Sequence, residues 1–380
     1  MQGVNPNRLR EIRILHNMKL DNLASILGIT KQAVSKYEHG KSVPSSDAIE
    51  KILSTFRIPR NYLLKESIKL NGKCSPLFFR ASSATTKGHV DYAGIISGWG
   101  YEIVNAINKN PQEFPDYAIL EKMSIPEKAL ALRKEWNIDS LPIEDLTGLL
   151  EQHGYYIFVI DSAELETDAY SRIINDVPII VINKHKGTAV RWRFNLAHEL
   201  GHLIMHNSLS EWEFRNKNKE LEQEANTFAE YFLMPTDAFE RSIIAPKLDY
   251  FITLKKHWGV SIGAMIYHCG QIGSIDSHKV KSLQIQMGSQ GWKKNEPLDD
   301  VIEFEMPTRV REMIIDKVAN ESSFNSFYAE VCLPMDEIER ICCLPDGYLS
   351  SFESDTIQDH NNQKEFEQLT LFANEGGYHA

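Results

Sequence analysis

The chain has little of what would place a protein outside the cell or in a membrane. Its five cysteines, Cys74, Cys269, Cys332, Cys342 and Cys343, are odd in number and contain no Cys-x-x-Cys pair, which argues for reduced thiols over a disulfide framework or a thiolate zinc site. Long apolar runs are missing. Stretches such as Ile179-Ile180-Val181-Ile182 fall far short of the roughly 20 residues a membrane span needs, and no apolar leader opens the sequence. A cytoplasmic protein is expected. No internal repeat is visible, and positive charge is scarce: 41 Lys and Arg face 52 Asp and Glu, a net charge of -11. That balance argues against a uniformly basic nucleic-acid binder.

The charge is unevenly placed. Residues 1–66 hold eleven Lys and Arg against six Asp and Glu, a net +5, which leaves -16 on residues 67–380. A small basic module on an acidic body is the natural reading, and 380 residues are too many for one ordinary core. Within the basic part, Leu9, Ile12, Leu15, Leu23, Ile26, Leu27, Val34, Ile49, Ile52 and Leu53 recur at helical spacing, punctuated by Gly28 and Gly40. Asp21, Thr30 and the Ser45-Ser46-Asp47 run read as helix N-cap signals. Ala24 leaves room for a helix crossing, Gly28 suits a left-handed turn, and Val34 holds a second helix on the first. Leu20–Tyr37, followed by Glu38-His39-Gly40-Lys41-Ser42-Val43-Pro44, resembles the XRE (Cro/CI-type) helix-turn-helix family over about residues 7–64. Carried onto this chain, the resemblance implies a DNA-recognition helix that exposes Lys31, Gln32, Ser35 and Lys36. Gln reads adenine bidentately, and Lys suits phosphate or guanine. One module reads a half-site, so tight operator binding needs a homodimer or a partner. A helical protein-interaction module without DNA affinity is the alternative.

His198-Glu199-Leu200-Gly201-His202 is a His-Glu-x-x-His sequence inside a helical, mostly apolar pattern. At that spacing both imidazoles lie on one helix face and can bind one Zn²⁺, with Glu199 beside the open coordination position as general base. A third ligand is needed, and 20 residues after His202 comes Glu222-Gln223-Glu224-Ala225-Asn226-Thr227-Phe228-Ala229. On a helix, Glu222, Ala225, Asn226 and Ala229 share a face. Glu222 then completes a His₂Glu site, the alanines permit close approach, and Asn226 reaches a ligating imidazole. Glu224, pointing elsewhere, is the reserve ligand. His206 reads as a neighbour of the site. Tyr170, His206, Tyr267 and His268 are alternative donors to an oxyanion.

These segments, ending in Phe232-Leu233-Met234-Pro235, together with Asp168-Ala-Tyr-Ser171, Ile180-Val-Ile-Asn183 and Gly291-Trp292-x-x-x-Glu296-Pro297, resemble the ImmA/IrrE family of zinc metallopeptidases over roughly residues 67–310. Asn195 departs from that family's usual small β-branched or hydroxyl residue. The resemblance implies metal ligation by His198, His202 and Glu222, a base at Glu199, and a partner of repressor or antitoxin type as protein substrate.

The expected fold class is therefore α+β. An all-α helix-turn-helix domain (1–66) and a linker (67–90) precede a mixed α+β zinc-peptidase domain (91–275) and a C-terminal extension (276–380) with a polar tail from about Ser350. Short runs at Tyr155–Ile160, Ala169–Ile174 and Pro178–Ile182 predict a small sheet. Val177–Asn183 reads either as an edge strand that takes substrate by strand addition or as a buried core strand. Arg191 and Arg193 read as solvating a helix start, and the helical cadence around Gly259-Val260-Ser261 as packing in the peptidase body. The function expected is zinc-dependent cleavage of a regulatory protein by a chain that also binds DNA. The alternatives are a DNA-binding regulator with a sensory or structural zinc site, and a toxin of a two-gene module.

Overall fold

The computed structural model describes residues 4–352 apart from 80–85, 112–113, 116, 118–119, 121 and 186. In chain order the elements are α1 (Pro6–Leu15), α2 (Leu20–Leu27), α3 (Lys31–Glu38), α4 (Ser46–Phe56), α5 (Arg60–Leu64), β1 (Phe78–Phe79), α6 (Lys87–Ile107), α7 (Ile125–Glu135), α8 (Leu146–Gln152), β2 (Tyr156–Ile160), β3 (Ala169–Ile174), β4 (Val177–Asn183), α9 (Ala189–Met205) and α10 (Glu211–Leu233). They continue with α11 (Thr236–Ser242), α12 (Leu248–Trp258), α13 (Ile262–Gln271), α14 (Ser277–Ser289), α15 (Arg309–Lys317), α16 (Glu321–Val331) and α17 (Met335–Ile341). The fold is α+β, and among the described residues no helix is long and apolar enough to cross a membrane.

Packing groups these elements into two compact units that do not follow the linear segments. One unit contains residues 1–69, 86–110 and 310–380, and the other contains 70–85 and 111–309. The expected linker is thus divided: its first part runs beside the sheet, 80–85 lie outside the described residues, and its end starts α6. The polar tail beyond Phe352 also lies outside the described residues.

In the first unit, local chemistry sets the helix-turn-helix. α2 stops at Gly28 with φ +71, a left-handed value that glycine takes without strain. Thr30 caps α3 by accepting from Ala33 N, and Ser45 caps α4 by accepting from Ala48 N. Asp21 is not a cap. Helix α2 begins at Leu20, with Lys19 as its N-cap, and leaves Asp21 in its first turn, where a carboxylate favours the helix dipole. Leu9, Leu23 and Val34 are fully buried between α1, α2 and α3. Arg13 forks onto Glu38 with Nε and Nη2 at 2.6 and 2.8 Å, tying α1 to the end of α3. Helix α6 packs against α1 and α16. Buried Glu102 on α6 accepts from Arg8 and from Lys65 Nζ, the latter at 2.9 Å.

The second unit is a four-stranded sheet with helices. Strand order is β1-β3-β4-β2; β2 runs parallel to β4, and β3 is antiparallel to both β4 and β1. All seven residues of β4 are buried, and β4 is hydrogen-bonded on both sides, so the edge-strand reading of Val177–Asn183 is corrected: it is the core strand. Helix α9 lies against β3 and β4, and α10 lies between α9 and α7. Gly201 permits the close approach of α9 and α10. A Cβ there would come within 3.0 Å of Phe228 Cδ1.

Candidate metal centre

The His-Glu-x-x-His residues sit on the third and fourth turns of α9, the helix whose buried face meets the sheet and α10. His198, Glu199, His202 and Glu222 are all buried. His198 Nε2 and His202 Nε2 face each other at 3.1 Å, and the Glu222 carboxylate lies 3.5 Å from the first and 3.4 Å from the second. One ligand atom from each residue falls within 4.8 Å of the others, a group that could hold a metal ion. A tetrahedral site with bonds of about 2.0–2.1 Å has ligand edges of about 3.3 Å, so the spacing fits.

The outer nitrogens are engaged elsewhere. His198 Nδ1 meets Asn226 Oδ1 at 3.0 Å, and His202 Nδ1 meets His206 Nδ1 at 2.9 Å. His206 Nε2 in turn meets Glu224 Oε2 at 2.9 Å. Glu224, the reserve ligand, therefore ends a chain of hydrogen bonds behind His202. It lies outside the His-His-Glu group because it is two residues, or about 200°, around α10 from Glu222. Phe78 stacks on the His202 ring, with centroids 5.2 Å apart and planes 9° from parallel.

Electrostatics separate the two glutamates. Burial pushes the Glu199 carboxyl up to about 7, against the opposing pull of His198 and a 2.5 Å hydrogen bond donated by Ser171 Oγ. Burial acts the same way on Glu222, but hydrogen bonds with His198 and His202 outweigh it and hold Glu222 well below the usual carboxylate range. Burial drives His202 down to about 3, whereas the glutamates around His198 raise it despite burial. A neutral His202 is the form whose nitrogen lone pair can bind a cation.

A cleft of about 730 Å³ opens on His198, Glu199 and Asn226, with Asp168, Arg191, Asn195, Trp292 and Lys293 on its walls. None of Tyr170, His206, Tyr267 and His268 lines it. His268 is fully buried, with Nε2 3.1 Å from Met234 O, and Tyr267 is exposed. Arg191 is exposed and paired with Asp168 at 2.5 Å. Arg193 does not solvate the helix start. It is buried against Glu305 and the carbonyls of Ile143 and Glu144.

The Trp292–Glu296 piece forms part of the cleft wall and is pinned in place. Buried Lys255 donates to Glu296 and Asp299 at 2.9 and 2.5 Å, and Glu296 accepts from the Ile262 and Gly263 amides at the start of α13. The α12–α13 turn is thus held by packing and by the Glu296 carboxylate. Sequence reasoning missed the Ser171–Glu199 bond, although Ser171 lies within a segment already singled out.

On α3, Lys31, Gln32 and Lys36 are exposed and Ser35 is half-buried. Lys31 Nζ pairs with Asp21 at 2.8 Å, and Ser35 O contacts His39 Nδ1 at 2.7 Å.

Two family models match. Residues 9–63 match a helix-turn-helix model, and residues 150–269 match the model described as the IrrE N-terminal-like domain of peptidase family M78. The chain thus carries a helix-turn-helix region of XRE type, followed by a region similar to the IrrE-like domain of a metallopeptidase family. No curated protein matches the chain. A solved structure of a Mycobacterium tuberculosis transcriptional regulator is 19% identical over 38% of this chain and 55% of that protein, with a TM-score of 0.28. The chain therefore spans about half of that regulator's length, and the likeness is too low to carry an argument.

Proposed function

We propose that the chain is a zinc-dependent endopeptidase that cleaves a regulatory protein, of repressor or antitoxin type, and that its helix-turn-helix brings it to DNA. The observation that carries this reading is the convergence of His198, His202 and Glu222 within 4.8 Å beside a buried glutamate that is no part of the group. A purely structural zinc site has no need of that non-ligand carboxylate.

In this reading His198, His202 and Glu222 hold Zn²⁺, which supplies Lewis acidity to a peptide carbonyl and to water. Glu199 is positioned to take a proton from water and deliver it to the leaving amine. A carboxylate beside the open coordination position serves both steps, first accepting the proton and then giving it up. Ser171 fixes the carboxylate that does this, and the Asn226, His206 and Glu224 contacts fix the imidazoles. The half-site read by Lys31, Gln32, Ser35 and Lys36 calls for a homodimer or a partner at the operator.

Metal analysis and partner cleavage test the reading together. Replacement of His198, His202 or Glu222 by Ala should abolish stoichiometric zinc, because each removes one of three protein ligands. Glu199→Gln should keep zinc and the fold but lose cleavage, since an amide cannot accept the proton. Full zinc in Glu222→Ala would move the third ligand, and wild-type cleavage by Glu199→Gln would remove Glu199 as the base.

A further inference from the structure

The sheet edge beside the candidate site is already taken. Strand β3 crosses α9 at Ser171, the residue that donates to Glu199. Along its outer side lies β1, with Phe78 opposite Ser171 and Phe79 opposite Tyr170. The pairing continues upstream. Ser75 N donates to Ile173 O at 3.1 Å, Ile173 N donates to Ser75 Oγ at 2.9 Å, and the Asn71 and Gly72 amides donate to Asn175 Oδ1 at 2.7 and 3.0 Å. Phe78 reaches the site itself, packed between His202 and Phe214. Among the described strands the other edge, β2, is separated from β3 by β4. Extended peptides add to sheet edges through this kind of main-chain pairing, with side chains on alternate faces giving specificity.

We propose that β1 holds, in cis, the place on β3 where an extended substrate peptide adds. The resting chain is then latent, and the peptide it accepts is one whose adjacent apolar residues replace Leu77-Phe78-Phe79. The proposal rests on the peptidase reading above. The lodging is short, with two residues in the ladder. Of its segment, residues 70–79 lie with the sheet, while residues 1–69 before it and 86–110 further on belong to the unit that contains the helix-turn-helix. The edge strand is thus covalently tied at both ends to that unit, which makes events at the helix-turn-helix the natural lever for its release.

A removable lock tests this on the full-length protein. Phe79 and Tyr170 are directly opposed, and opposed antiparallel residues have Cα separations within disulfide range. In a Phe79→Cys, Tyr170→Cys protein also carrying Cys74→Ser, oxidation locks β1 on β3 and reduction frees it. The probe is a fluorescent peptide of sequence Ser-Pro-Leu-Phe-Phe, read by anisotropy in the presence of chelator so that neither metal nor turnover enters. A cis strand competes at an effective concentration of about millimolar, so the reduced form should bind at least about tenfold more tightly than the locked form. A second variant, Phe79→Ser, weakens β1 while leaving β3 intact and should bind more tightly than wild type. Equal binding by locked and reduced protein overturns the proposal. So does a Phe79→Ser protein that keeps the wild-type melting temperature but gains no affinity. Zinc content and partner cleavage, measured separately, report on the peptidase reading: tighter peptide binding without any cleavage keeps β1 in its role and removes the peptidase.

Discussion

The helices that carry the two candidate chemistries are held in opposite ways. On α9 and α10, His198, Glu199, His202 and Glu222 are buried, and Ser171, Asn226, His206 and Glu224 fix their orientation. On α3, Lys31, Gln32 and Lys36 face solvent, and the Lys31–Asp21 pair joins two side chains that are each more than half exposed. Bond-breaking chemistry needs groups placed before substrate arrives, so its geometry is built into a core. A surface that meets a polyanion needs charge and a rigid support, and here Val34, Leu23 and the Arg13–Glu38 fork give the support. Substitutions that separate stability from function should therefore behave differently in the two regions.

The largest effect is expected where the site rests on packing. Phe228 is fully buried, stacks on Phe232 at 5.6 Å, and fills the space that Gly201 leaves open. Phe228→Ala should cost about 3–5 kcal/mol in urea unfolding, and zinc affinity should fall with it because α10 carries Glu222. A cost below about 1 kcal/mol, as surface sites show, would mean that the centre is not held by its core.

A smaller effect isolates orientation from packing. With His206 Nε2–H donating a hydrogen bond to Glu224, His206 Nδ1 accepts from His202 Nδ1–H, and the His202 Nε2 lone pair is left facing Glu222. His206→Gln should weaken zinc binding by about 10–100-fold in chelator competition, with the fold retained. Unchanged zinc affinity would reduce the Glu224–His206–His202 chain to packing and narrow the contrast between the two regions.

What the sequence made legible follows from range. The Gly28 turn and the Thr30 and Ser45 caps are local, and the shared faces of His198 with His202 and of Glu222 with Asn226 follow from helical period alone. The Ser171–Glu199 bond depends on which strand crosses α9, and no local pattern encodes that. Strand β1 is two residues long, too short to show a period, so its segment read as linker. Strand β4 carries an uninterrupted apolar run, which fits an edge or a centre equally well until its neighbours are known. Arg193 read as surface because its partners, Glu305 and the 143–144 carbonyls, are far away in sequence. The interleaved units arise in the same way. Buried Val310, Ile314, Phe324 and Phe327 find their packing far from their place in the chain.

The smallest stability effect should come from the exposed face of α3, where function and stability part most cleanly. Lys31 loses only an exposed ion pair with Asp21 on substitution, and such pairs contribute little. Lys31→Ala and Lys36→Ala should therefore leave unfolding free energy within about 0.5 kcal/mol of wild type. On the proposed reading their effect belongs to DNA. Each lysine that neutralises a phosphate contributes about one counterion to the salt dependence, so each loss should flatten the slope of log affinity against log salt by about one. Gln32→Ala should leave that slope alone and weaken binding only to the preferred sequence, because an amide reads bases rather than charge. Fluorescence anisotropy of the full-length protein on a labelled operator and on a mixed-sequence duplex, across a salt series, separates these outcomes. An unchanged slope in both lysine variants would take α3 off the phosphate backbone. A loss of stability above about 1 kcal/mol would show that the face is held by its own contacts, as the metal centre is.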